Sequence, residues 1–101
     1  MNLHLISQSP FSTPHPVARI ISDQDALLLI GDGCYYLQNI PALTALKADS
    51  KAPNLQIFVL SEDCTLRGLH PAIGENELTI DEINTDDFVN LSLNVKHIIN
   101  W

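Results

Sequence analysis

Two short runs, "ALLLIG" at 26–31 and "LQIFVL" at 55–60, are apolar at almost every position. A strand with one wet face alternates apolar and polar residues, whereas a strand covered on both faces has no need to. The runs therefore predict two central strands of a parallel sheet with helices on both faces. Between them, Ile40, Leu43 and Leu46 recur at helical spacing over about 39–48, with Asn39 placed to cap and Pro41 in the first turn, where a missing N–H is harmless. Strand, helix, strand in that order implies a right-handed crossover.

The rest of the chain continues the alternation. "NLHLIS" (2–7) reads as a first strand. "TPHPVARIIS" reads as a short helix capped by Thr13, with Pro14 and Pro16 in its first turn and Val17, Ile20 and Ile21 apolar. Asp32-Gly33 reads as a turn closing the second strand, and "SEDCTLRG" (61–68) as a short helix with an acidic start and Gly68 as its stop. "HPAIGENE" is a loop, and "LTI" (78–80) a brief strand near an edge. "TDDFVNLSLNVKHII" reads as a last helix, with Asp86 and Asp87 favouring its N-terminus and Phe88, Leu91, Val95 and Ile98 facing inward. Trp101 is a large apolar surface and is predicted to pack. The expected fold is α/β: one domain over 1–101, a three-layer sandwich around a mainly parallel sheet of about four to five strands.

Composition limits what such a domain can do. The 101 residues bury roughly 65% of their extended-chain surface on folding, enough for one core. The net charge is −7, and the five basic residues, Arg19, Lys47, Lys51, Arg67 and Lys96, are scattered, which argues against gripping a phosphate backbone. No apolar run reaches the roughly 20 residues of a membrane span, and "MNLHLISQSP" lacks the basic and apolar regions of a signal peptide. Two cysteines, 30 positions apart, make neither a disulfide framework nor a CxxC pair. A cytoplasmic protein with reduced thiols is expected.

In open α/β sheets ligands bind beyond the carboxyl ends of the strands. Three segments are predicted there: Ser7–Ser9, Asp32–Tyr36 and Ser61–Cys64. None carries GxGxxG or GxxxxGK[ST], so nucleotide binding is not expected. Cys34 and Cys64 could face one another across a crevice. Against a reactive role, Glu62 and Asp63 flank Cys64, Cys34 has Asp32 nearby and no adjacent cation, and free cysteine is among the most buried residue types. Both read as structural thiols. His4, His15, His70 and His97 show no metal-ligand spacing, and His4, inside a strand, reads as a hydrogen-bonded core histidine. No GxSxG elbow marks a nucleophile. Asp81, Glu82, Asp86 and Asp87 read as a solvated helix start, or alternatively as an acidic docking edge. No catalytic, cofactor-binding or metal-binding residue is assigned, and no cofactor is expected.

"SPF" after the first strand, "LLLIGDG" at the second, "FVLSEDCTLRGL" across the third, and "DDFVNL" with a closing Trp101 resemble the TusB/DsrH family. The likeness runs in order through nearly the whole chain, and the combination of D-x-x-x-RGL, DFV-x-L and the final Trp is its most specific part. The resemblance implies the DsrEFH-type parallel α/β fold and a hetero-oligomer with sister subunits of the TusC and TusD (DsrF and DsrE) kinds. It implies a relay of persulfide sulfur toward 2-thiolation of the wobble uridine of tRNA, with the essential thiol on the D or E sister. DsrH-type chains often carry a cysteine in the first helix, and "TPHPVARII" has none, which favours the TusB type. Cys34 and Cys64 stand where relatives carry apolar residues, so the resemblance gives neither an active-site role. Alternatives are a DsrH-like subunit of a sulfur-oxidation complex using Cys34 itself, or a small-ligand-binding α/β domain.

Overall fold

The computed structural model describes residues 2–9, 21–22, 24–50, 54–69 and 80–101. Five strands form one sheet: β1 (Asn2–Ile6), β2 (Ala26–Leu29), β3 (Gln56–Leu60), β4 (Ile80–Ile83) and β5 (His97–Asn100). The order across the sheet is β4-β3-β2-β1-β5, and every neighbouring pair is parallel. A 3-10 helix (Gly31–Gln38) follows β2, and helices α1 (Ile40–Ser50), α2 (Ser61–Leu66) and α3 (Thr85–Asn94) complete the described elements.

The layering follows from handedness. Successive steps from β1 to β4 move in one direction across the sheet, so right-handed crossovers put the described helices between them, the 3-10 helix, α1 and α2, on one face. The step from β4 back to β5 reverses, so its helix falls on the other face. Accordingly, Ile6, Leu27, Leu29, Ile57 and Val59 pack with the 3-10 helix, α1 and α2, through Cys34, Tyr36, Leu37, Leu43, Leu46 and Cys64. Leu3, Leu5, Ala26 and Leu28 pack on the opposite face with Phe88 and Leu91 of α3 and with Val95. All four residues of β2 are fully buried, as its unbroken apolar run requires. Each such leucine contributes about 1.5–3 kcal/mol by leaving water.

The predicted Asn39 and Gly68 caps are present, and Asn84 supplies a further cap that the sequence reading did not name. Asn39 Oδ1 accepts from the Ala42 N–H at the start of α1. Gly68 closes α2 with φ +66°, and the Gly68 and Leu69 N–H groups donate to the Thr65 and Cys64 carbonyls, a Schellman closure. Asn84 and Asp87 exchange side-chain and backbone hydrogen bonds in a capping box that starts α3.

Three expectations are corrected. The last helix ends at Asn94, and His97–Asn100 form strand β5, because β1 has an unpaired edge that this segment satisfies. Ile98 is thus half-exposed on an edge strand rather than on an inward helix face. Asp81 and Glu82 belong to β4, where they pair with Phe58 and Val59, and only Asp86 and Asp87 sit at a helix start. Asp32-Gly33 is not a simple turn but the first turn of the 3-10 helix. The predicted helix around Thr13–Ile20, the loop from His70, and Leu78 and Thr79 of the predicted edge strand lie outside the described residues.

Candidate functional site

The parallel register sets the geometry at the carboxyl ends of β2 and β3. Leu29 pairs with Val59. After each partner the chain turns at once into a helix, the 3-10 helix from Gly31 and α2 from Ser61. Cys34 and Cys64 are each the fourth residue of those helices, five positions beyond the paired residues. Neighbouring parallel strands with matched turns bring matched positions together. The two thiols are fully buried in one apolar cluster, near enough for each to shift the other's titration, and free. The Cys34 thiol also donates to the Leu29 carbonyl at 3.6 Å. The predicted juxtaposition is therefore real, but the thiols meet in the core rather than across an open crevice.

Gly33 allows this approach. A Cβ on it would lie 2.0 Å from the Ile6 carbonyl oxygen and 2.8 Å from its carbon, so no side chain fits between the 3-10 helix and β1. Gly31 enters the helix with φ +51°, a left-handed conformation that favours glycine.

A polar clasp joins the same two helices. The Gly31 N–H donates to Asp63 Oδ2 at 2.7 Å. Arg67 donates through Nε and Nη2 to Asp32 Oδ1, at 3.3 and 3.2 Å, and through Nη1 to the Asp63 carbonyl at 3.1 Å. A cation thus does stand near Cys34, contrary to the reading from sequence neighbours, but it is held by Asp32. Burial pushes the Cys34 thiol far up, and Cys64 and the Asp63 carboxylate push it further. Burial also raises Cys64, partly offset by the Cys34 thiol beside it. Both thiols stay protonated at neutral pH, and neither is a ready nucleophile.

The reversal of strand order places the topological switch between β1 and β5. Trp101 occupies that end. Its N–H donates to the Leu5 carbonyl at 2.9 Å, its carbonyl accepts from Ser7 Oγ at 3.2 Å, and its Nε1 donates to His4 Nδ1 at 3.2 Å. Indole N–H is a donor only, so Nδ1 accepts and the ring proton of neutral His4 sits on Nε2. Nε2 then donates to Asp25 Oδ2 at 2.9 Å. Burial would raise the Asp25 carboxyl, but hydrogen bonds from His4, Asn2 and Ser22 outweigh it and hold it at about 2. His4 is wholly buried, a satisfied core histidine as expected, and Trp101 packs as expected.

Sequence reasoning did not find Asp25 or the Arg67–Asp32 pair. The only local sign of Asp25 is an acidic residue directly before an apolar strand. Asp32 and Arg67 are 35 positions apart, and only the β2–β3 pairing makes them neighbours. Among the described residues, no three His, Cys, Asp or Glu side chains gather into a metal site, and no helix is long and apolar enough to cross a membrane. Ser61, Glu62, Thr65 and Leu66 line a shallow surface depression beside the clasp.

A family model described as "DsrH like protein" matches residues 8–98. Protein TusB of Enterobacter sp. (strain 638) is 31% identical over 100 residues, spanning 98% of this chain and 99% of its own length. Protein TusB of Escherichia coli (strain SMS-3-5 / SECEC) is 33% identical over 96 residues, spanning 94% of this chain and 93% of its own. Protein TusB of Shigella dysenteriae serotype 1 (strain Sd197) is 34% identical with the same coverage.

Proposed function

The chain belongs to the DsrH-like family, and from that premise we propose that it is a non-catalytic subunit of a TusBCD-like sulfur-relay complex supporting 2-thiolation of the wobble uridine of tRNA. One observation carries the non-catalytic part. A persulfide carrier must present an accessible thiolate to its donor. Both cysteines are sealed in the core and held protonated. The relay sulfur then resides on a sister subunit of the TusD kind, and this chain, with a TusC-like sister, completes the cytoplasmic assembly that positions it. The charge of −7 fits a subunit that leaves tRNA to a downstream enzyme.

The test is complementation. In cells lacking the native subunit, a Cys34→Ala, Cys64→Ala double variant should still assemble with both sisters and restore the thiolated fraction of the target tRNAs. Assembly without thiolation would make the chain a sulfur carrier. A wild-type chain that ignores both sisters in sedimentation would overturn the scaffold role.

A further inference from the structure

We propose that Cys34 and Cys64 form an internal dithiol–disulfide couple, a modification site that staples the 3-10 helix to α2 when a small organic disulfide serves as oxidant. It holds whether or not the chain sits in a relay. Three observations carry it. The Leu29–Val59 register and the matched helical offsets place the two cysteines at matched positions of neighbouring helices, in one buried cluster. They are the chain's only cysteines, so no third thiol competes. The two helices that carry them are joined by a clasp whose ion pair is partly wet, with Arg67 24% and Asp32 62% exposed. Exposed pairs of this kind hold weakly, and so the clasp can part.

The chemistry balances with the named oxidant. With the clasp open, Cys64 is the first attacker, because the Cys34 S–H is engaged by the Leu29 carbonyl. Cys64 gives up its proton, and its sulfur bonds to one sulfur of the small disulfide, whose S–S bond breaks and releases one thiolate. Cys34 then loses its proton and attacks the Cys64 sulfur, forming the internal S–S bond and releasing the second thiolate. Two electrons pass from the protein pair to the small disulfide, and the two protons end on the two released thiols.

The experiment incubates the folded, reduced full chain with oxidised glutathione at neutral pH. The reaction is then quenched in acid, denatured, alkylated and mapped by mass spectrometry. The expected product is lighter by two hydrogens, takes up no alkylating agent, and yields a cross-linked peptide pair containing Cys34 and Cys64. Asp32→Asn, which removes the ion pair of the clasp and leaves Arg67 its bond to the Asp63 carbonyl, should close up to about fivefold faster, the population ratio a surface ion pair can set. Stable glutathione adducts without closure would overturn the couple. So would a folded chain that stays reduced while the urea-unfolded chain reacts. An unchanged rate in Asp32→Asn would overturn the gate.

Discussion

Replacing Gly33 by alanine tests the contact that seats the 3-10 helix, and with it Cys34 and the clasp. The added Cβ would stand 2.0 Å from the Ile6 oxygen, against the roughly 3.3 Å of a tolerable C···O contact. The obstacle is backbone of a buried strand, which is paired on both sides and cannot rotate away as a side chain would. Relief requires the 3-10 helix to lift by about an ångström, which also loosens Cys34, Tyr36 and Leu37 in the core. Overpacking costs about 1–3 kcal/mol, and a rigid neighbour puts this site at or above the upper end. For a domain of this size each kcal/mol lowers Tm by about 4–8 °C, so a fall of about 12–24 °C is expected. Gly68→Ala is the control. It has nothing within 4 Å but φ +66°, so it suffers only the left-handed penalty of about 1–2 kcal/mol. The assay is urea and thermal unfolding of both variants, with thiol alkylation of the folded state alongside. Gly33→Ala should be the less stable and the faster alkylated. A Gly33→Ala chain within about 0.5 kcal/mol of wild type would refute the close approach, since ordinary surface changes stay in that range.

Three further outcomes are expected. The Asp25 carboxyl falls from 3.8 to about 2 on folding, so the native state binds fewer protons; its contribution of about 2 kcal/mol is present above pH 3.8 and drains as pH falls toward 2. Urea midpoints across that window should drop in wild type and be flatter in Asp25→Asn, and parallel curves would refute the linkage. Trp101→Phe keeps a ring but leaves the buried His4 Nδ1 without its donor, which should cost about 1–3 kcal/mol in urea unfolding, and deleting Trp101 should cost more. Asn84→Ala removes the α3 capping box and should cost about 1 kcal/mol, with a loss of helical circular dichroism on heating that begins earlier than in wild type.

Where a segment's own side chains settle its environment, the fold was legible. "ALLLIG" could be soluble only between two layers, and the Asn39 and Gly68 signals depend on a few adjacent backbone groups. Alternation of strand and helix, with right-handed crossovers, led from these to the parallel α/β sandwich. Residues 95–99 show the limit. Val95 and Ile98 continue the spacing of Phe88 and Leu91, so a local reading extends the helix. What decides otherwise is the vacant edge of β1, whose N–H and C=O groups need partners that only a fifth strand supplies. Asp81 and Glu82 enter a strand for the same reason, as partners for β3 despite their poor strand propensity.

The sequence by itself determined that both cysteines would be poor nucleophiles, because acidic neighbours and an apolar setting both oppose a thiolate. Only the tertiary structure decided that they touch. That contact depends on strands β2 and β3 being neighbours in a register that pairs Leu29 with Val59. Register is set by burial of whole sheet faces rather than by any short stretch of chain. The same pairing brings Arg67 to Asp32, and the β1–β5 pairing brings Trp101 to His4. Such contacts join residues 30 to 97 positions apart, a separation at which local sequence carries no signal and only the packed sheet fixes the distance.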